Sequence, residues 1–373
     1  MRILMLNYEF PPLGGGAGNA TYYLLKEYSR CSDLKIDLVT SSDNKYKEEK
    51  FADNIRIYYL DIGKEDNLHH QSSKDLLSYY WKARSFCKKL CKKRKYDFIH
   101  SFFGVPCGYL ALKLNLPYLV SLRGSDVPGH NPKFAKIYLF LGNLTKRVWS
   151  NAEVVVANSE DLKREAKEFL PMDFPVIPNG VDATYFKPAN KKDDTFRILY
   201  VGRLHKIKNI DLLIKSFAEF AKNNPEVKSE LKLVGDGPER QNLLRLAEDS
   251  NIAQSVKFLG RRNKKELLRY YQQASVFTLL SEREGMSNTA LEAMACGLPV
   301  ILSSTGSSNN LVRGNGIITE KEPKSVAIHL NKLSRNRDKL SKMGHASRQI
   351  AEKFSWEITA KQYYKIYRKL CAE

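Results

Sequence analysis

Two carboxylates, Glu284 and Glu292, stand eight positions apart in the stretch Ser281–Leu302, SEREGMSNTALEAMACGLPVIL. Glu284 lies in a turn, and Glu292 lies on the run of helix formers that follows. A turn feeding a helix N-terminus points N–H groups and a positive dipole end outward, which suits a phosphate. Two acids beside such a place suit the hydroxyls of a sugar or a ribose. Within this window another reading stands beside that one. Glu284 is then a solvated loop charge, and Glu292 closes a Thr289-x-x-Glu292 capping box. In Val201–Ile210, VGRLHKIKNI, a strand ends in cations, with Arg203 and Lys208 straddling a loop that opens a helix. A diphosphate leaving group needs its growing charge met by fixed cations and oriented amides. Taken separately, each of these cations reads as a solvated charge. Together at a strand end, with two acids in the same half of the chain, they point to a diphosphate site.

A metal could do the same work. The sequence, however, holds no Asp-x-Asp, and its seven histidines form no His-x-x-x-His or His-Glu-x-x-His. The expectation is a metal-independent site with no cofactor. A third candidate lies near the start, where strand-like Arg2–Asn7 runs into Tyr8-Glu9-Phe10-Pro11-Pro12-Leu13-Gly14-Gly15-Gly16 and then a helical pattern from Thr21 to Tyr28. Strand, glycine-rich turn and helix bring backbone close to a ligand. The third glycine of a dinucleotide fingerprint is missing, and so is a phosphate-loop Lys-Ser/Thr.

The elements that must position these residues alternate. Strand candidates fall at Ile36–Thr40, Ile55–Leu60, Phe98–Phe103, Tyr118–Leu122, Val154–Ala157 and Val176–Pro178, with helical patterns over Ser73–Arg94 and Ser159–Phe169. Phe186–Thr195, FKPANKKDDT, is polar and aperiodic and reads as a linker. Beyond it strands and helices alternate again from Arg197, and Trp356–Cys371 closes the chain as a helix. The pattern predicts an α/β protein with two doubly wound domains: 1–190, 191–353 and a final helical segment 354–373. Ligands of such domains sit at the carboxyl ends of strands, where every glycine-rich turn named above lies.

The formal net charge of +20 calls for a partner or a reason, with basic runs at Lys88–Lys95 and Arg261–Lys265. Nucleic acid, an anionic membrane surface and phosphate-rich substrates all fit a basic surface, as does a lysine-rich composition on solvated faces. No zinc-finger, RRM or KH signature supports nucleic acid. The six scattered cysteines form no zinc set, and no apolar run approaches the ~20 residues of a membrane span, so the chain reads as cytoplasmic.

SEREGMSNTALEAMACGLPVI resembles the Glu-x7-Glu motif of the retaining glycosyltransferases of family 4, which have the two-domain GT-B fold. Other stretches are similar in the family's order: Tyr8–Pro12 with Gly14–Gly16, Tyr96–His100, Val176–Asp182 with Phe186, Val201–Leu204, Leu233–Pro238 and Phe354–Trp356. The resemblance implies two Rossmann-like domains facing across a cleft, with a sugar moved from a nucleoside diphosphate, UDP-linked, to a glycan or lipid-linked acceptor. It implies that Arg203 and Lys208 bind the donor diphosphate, that Glu284 contacts donor sugar hydroxyls and that Glu292 contacts the ribose. It also implies that Gly285, Met286, Ser287, Asn288 and Thr289 offer amides to phosphate, and that Gly15 and Gly16 lie over the diphosphate. The resemblance makes Glu284, Arg203 and Lys208 the expected catalytic set. Retention comes from the family alone; a place in surface polysaccharide or lipopolysaccharide synthesis comes from the family's habit together with the basic surface, and the basic first domain suits the anionic inner face of a membrane.

One departure stands out. Where the family often has His-Gly, this chain has Arg123-Gly124-Ser125-Asp126. Arginine cannot act as a base near neutral pH. Arg123, Asp126 and His100 are the acceptor-side candidates, and Asp126 reads equally as a helix cap and Arg123 as an ion-pair partner. Three rival functions remain: a nucleotide-sugar 2-epimerase of the same fold, a basic nucleic-acid-binding protein, and a sugar-nucleotide sensor without turnover.

Overall fold

The computed structural model describes residues 1–43, 45–64, 72–130, 135–189, 194–305 and 308–372. The chain divides into two compact units, Met1–Asn179 with Trp356–Glu373, and Gly180–Ser355. The break falls ahead of the 186–195 segment read as a linker. Phe186, at that segment's start, is buried in the second unit's core, and residues 190–193 lie outside the described residues.

In the first unit the order is β1 (Arg2–Leu6), α1 (Gly16–Tyr28), β2 (Lys35–Ser42), β3 (Lys47–Ala52), β4 (Ile55–Asp61), α2 (Ser73–Lys93) and β5 (Phe98–Phe102). Then come α3 (Tyr109–Leu112), β6 (Tyr118–Ser121), α4 (Ala135–Ser150), β7 (Val154–Val156) and α5 (Glu160–Phe169). The sheet is seven-stranded in the order β3-β4-β2-β1-β5-β6-β7. Its pairs are parallel except β3 with β4, which is antiparallel. Strand β3, KEEKFA, has no apolar alternation and was not legible as a strand. It is an edge, and lysines on an edge discourage pairing with another chain. Val176–Pro178, expected as a strand, makes only a single bridge from Val176 to Ala157. Prolines at 175 and 178 remove the donors a longer ladder would need.

In the second unit β8 (Phe196–Val201), α6 (Ile210–Asn223), β9 (Ser229–Val234), α7 (Arg240–Asp249), β10 (Val256–Gly260) and α8 (Lys264–Gln273) come first. They are followed by β11 (Val276–Leu279), α9 (Asn288–Ala295), β12 (Val300–Ser303), α10 (Ser308–Leu311), β13 (Gly316–Thr319), α11 (Pro323–Ser334) and α12 (Arg337–Glu352). The sheet is six-stranded and parallel, in the order β10-β9-β8-β11-β12-β13. Strands such as β8, FRILYV, and β12, VILS, are almost wholly buried, as parallel strands covered on both faces must be.

The last helix, α13 (Trp356–Ala372), packs on the first unit. Trp356 stacks on Tyr23 at 5.2 Å, and Tyr363 and Tyr367 are buried in that unit's core. The order reversal that makes a binding crevice lies between β1 and β5 in one sheet and between β8 and β11 in the other.

Candidate active site

Arg203, Lys208 and Glu284 stand on the loops that follow β8 and β11. Strand β8 ends at Val201, and two glycines let the neighbouring backbone come close. A Cβ on Gly235, whose φ is +135°, would lie 1.8 Å from the Gly202 carbonyl oxygen. A Cβ on Gly237 would lie 2.3 Å from that of Leu204. The Leu204 N–H donates to the Asp236 carbonyl at 3.0 Å, and the Glu239 N–H donates to the Leu204 carbonyl at 3.1 Å. The turn carrying Arg203 is therefore built against the turn after β9, and its guanidinium is exposed.

Lys208 ends a short 3-10 turn, Lys206–Lys208, and Asn209 follows with a left-handed φ of 50°. Asn209 Nδ2 donates to the Leu280 carbonyl at 3.0 Å, and the Glu282 N–H donates to the Ile207 carbonyl at 2.8 Å. These bonds tie the Lys208 turn to the loop after β11. Lys208 Nζ donates to Glu284 Oε2, and Ser281 Oγ donates to the same oxygen at 3.1 Å. Both side chains keep some contact with solvent, Lys208 at 14% and Glu284 at 20% exposure. The Tyr200 hydroxyl donates to the Arg203 carbonyl at 2.8 Å. Burial holds that phenol well above its ordinary range; Glu284 pushes it further up and Arg203 pulls it down. Arg203, Lys208 and Glu284 thus share one neighbourhood.

Helix α9 begins after this loop. Its N-cap is Ser287, whose Oγ accepts from the Ala290 N–H at 3.3 Å. The Thr289–Glu292 capping box does not form, because the helix starts at Asn288, ahead of Thr289. The first turn of α9 directs its N–H groups toward the Gly285–Ser287 end, where the dipole favours an anion. Glu292 Oε2 accepts from the Tyr271 hydroxyl at 2.9 Å. It keeps partial contact with solvent, yet burial pushes its carboxyl up to about 7, opposed by the Tyr271 bond and by Lys264.

In the first unit the glycine loop follows β1. Gly14 has φ +86°, and Gly15 caps α1. The Gly15 N–H donates to Glu9 Oε2 at 3.1 Å, and the Glu9 N–H donates to Asn7 Oδ1 at 3.0 Å. Gly16 opens α1. A carboxylate of the loop itself therefore rests on the amide expected to serve an anion.

Two acceptor-side expectations are corrected here. His100 is fully buried; its Nδ1 lies 2.6 Å from the Tyr367 hydroxyl and its Nε2 2.7 Å from Ser121 Oγ. Burial, aided by Arg123, lowers its pKa well below the usual histidine range. It ties β5 to α13 and cannot reach an acceptor. Asp126 is 5% exposed and holds two backbone amides, Arg123 N–H at 2.8 Å and Gly104 N–H at 3.0 Å. It shapes the loop by holding one amide upstream of it and one from the segment after β5; no helix starts at Asp126, so it is not a helix cap. Arg123 lies over Phe102 at 4.9 Å and donates to Asn179 Oδ1 at 2.9 Å.

Two family models match along the chain: glycosyltransferase family 4 over residues 14–185, and glycosyl transferases group 1 over residues 181–350. The chain belongs to glycosyltransferase family 4. An uncharacterised glycosyltransferase of Methanocaldococcus jannaschii is 26% identical over 377 residues, 99% of each chain. Sucrose-phosphate synthase of Thermosynechococcus elongatus superposes with a TM-score of 0.87 at 22% identity, covering 100% of this chain and 99% of that one. Anabaena HepE in complex with UDP and glucose superposes with a TM-score of 0.77 at 19% identity, covering 99% of this chain and 100% of that one. The fold is GT-B, and the protein is a group 1 glycosyltransferase.

In this family 4 member, sequence reasoning missed the groups that hold the charged ones. Tyr200, Ser281 and Tyr271 each bond a site residue or its backbone. Tyr200 lies at the end of a strand otherwise made of buried apolar residues, so its hydroxyl was the available signal. Tyr271 carried none, because its partner Glu292 is 21 positions away. Among the described residues no cluster of three metal-binding side chains occurs.

Proposed function

We propose that this glycosyltransferase moves a sugar, with retention and without a metal, from a UDP-linked donor to a glycan or lipid-linked acceptor of surface polysaccharide or lipopolysaccharide synthesis. The observation that carries the reading is the Lys208–Glu284 pair beside Arg203 at the order reversal of the second sheet. Cations there neutralise the departing diphosphate, while Glu284 accepts hydrogen bonds from donor sugar hydroxyls. The bond from the anomeric carbon to the diphosphate breaks as the acceptor oxygen adds on the same face, and the acceptor proton passes to a diphosphate oxygen. Amides of Gly285–Thr289 complete the phosphate contacts in the second unit. Anabaena HepE, the neighbour holding UDP and glucose, supports the choice of base. Arg123 is the acceptor-side cation in this reading.

A panel of nucleotide sugars, assayed by release of nucleoside diphosphate with magnesium and with EDTA, tests it. UDP-sugars are expected to turn over equally in both. Glu292 accepts from ribose hydroxyls only as a carboxylate, so with its pKa at about 7 donor affinity should rise from about pH 6 to about pH 8. Glu292→Gln should flatten that rise. Turnover abolished by EDTA would remove the metal-independent mechanism, and isomerised sugar without acceptor would mark a 2-epimerase.

Helix α2 supports peripheral contact with an anionic membrane at a cytoplasmic face. Leu77 and Trp81, each 61% exposed, share its outer face with exposed Lys88 and Lys92. Apolar side chains beside lysines suit lipid headgroups. No helix among the described residues is long and apolar enough to cross a membrane. Co-sedimentation with phosphatidylglycerol vesicles should be strong at low salt, lost at high salt, and weakened in Leu77→Ala/Trp81→Ala. Absence of binding at low salt would remove this contact.

A further inference from the structure

A second hollow lies in the first unit, apart from the glycine loop's amides. It has a volume of about 540 Å³ and opens at the carboxyl edge of the sheet, between the Phe10–Pro12 segment, Ser42 at the end of β2, and β3. That volume falls within the range of small-molecule sites, roughly 300–1,000 Å³. Its walls are aromatic. Tyr22 meets Phe51 edge-on at 5.8 Å, and Phe10 meets Tyr59 edge-on at 6.1 Å. Tyr46, 52% exposed, stands at the rim.

Its polar groups come from the same strands. Along β3, Lys47 and Glu49 share a face with Phe51, because side chains two apart point the same way. Lys47 Nζ lies 2.6 Å from Glu49 Oε2 and 5.1 Å from the centre of the Tyr59 ring. The Tyr59 hydroxyl donates to Glu49 Oε2 at 3.4 Å. Asp43 and Lys45 complete the lining charges. Two carboxylates and two ammonium groups thus cancel, in a chain whose formal net charge is +20.

That balance selects the ligand. A phosphate would meet as much negative as positive charge. An acyl chain would strip water from four charged groups without replacing their hydrogen bonds. A neutral sugar ring offers apolar C–H faces to the aromatic rings and hydroxyls to Glu49, Asp43 and Lys47. We propose that this hollow is a saccharide subsite, which holds a neutral sugar unit of the acceptor in the first unit. The proposal rests on the glycosyltransferase reading for its role, but its test needs no turnover.

The probes are methyl α-D-glucopyranoside, methyl α-D-mannopyranoside, methyl α-D-galactopyranoside and octyl β-D-glucopyranoside, read by saturation-transfer difference NMR on the full chain. Ring protons of at least one glycoside are expected to receive saturation. Tyr46→Ala should weaken that binding about tenfold, a loss of about 1.4 kcal/mol, in line with an aromatic contact plus its buried area. Tyr46→Phe, which keeps the ring, should bind as wild type does. Tyr46 is half exposed, so both variants should melt as wild type does. No transfer from any glycoside, equal transfer in Tyr46→Ala, or transfer only to the octyl chain overturns the subsite. A wild type that turns over no nucleotide sugar overturns the functional reading instead, and the spectra still decide the subsite.

Discussion

Lys208→Ala and Arg203→Ala are each expected to lower kcat/KM by about 10²–10³-fold, or roughly 3–4 kcal/mol of transition-state stabilisation. The diphosphate gains charge as the sugar departs, so a fixed cation is worth more in the transition state than in the bound donor. Lys208 is held for this by the Asn209–Leu280 and Glu282–Ile207 bonds, and its ammonium is already ordered on Glu284. Arg203 is exposed, so its contribution depends on the donor displacing water from it. Lys208→Arg should recover only part of the rate, since the fork is longer and differently shaped than the ammonium. Released nucleoside diphosphate at subsaturating donor gives the readout, and thermal melting guards against misfolding. Wild-type-like turnover in both alanine variants would sink the diphosphate assignment.

Gly235→Ala should produce the largest loss of stability, about 3 kcal/mol or more. Its φ of +135° is foreign to side-chain-bearing residues, and its Cβ would fall 1.8 Å from a backbone oxygen. The atom in the way is the Gly202 carbonyl, which no rotamer change can move. Relief must come from shifting the turn that carries Arg203, so donor affinity should fall with stability. Gly260→Ala is the matched control. Its φ is +65°, and no atom lies within 4 Å of the added carbon. It should cost only about 1 kcal/mol, the left-handed penalty alone. Denaturant midpoints compare the two, and a Gly235→Ala midpoint no lower than that of Gly260→Ala would remove the close-approach argument.

Much of this molecule was legible before folding was considered. Strands buried on both faces read as apolar runs, which is why β8, β11 and β12 stand out in the sequence. Glycines after β1, β8 and β9 marked places where backbone had to turn or approach. Elements without those marks escaped: β3 because an edge strand need not alternate, α4 because Gly142 interrupts its pattern, and β13 because Gly-Ile-Ile-Thr is too short to separate from a loop.

The chemistry divides in the same way. By residue type and local position alone, the sequence determined that cations and acids stand at strand ends in the second half, since those features depend only on near neighbours. Tertiary structure alone decided which of them meet. Lys208 and Glu284 are 76 positions apart and pair because β11 lies beside β8 in the sheet, although β9 and β10 come between them in the chain. Burial is likewise a property of the whole fold. It raised the Glu292 carboxyl, removed His100 from the acceptor side, and turned Asp126 inward to hold backbone amides. The aromatic hollow beside β3 exists because the chain turns after β2 and sets a charged edge strand against β4. No pattern of near neighbours specifies that arrangement, since it depends on contacts between segments distant in the chain.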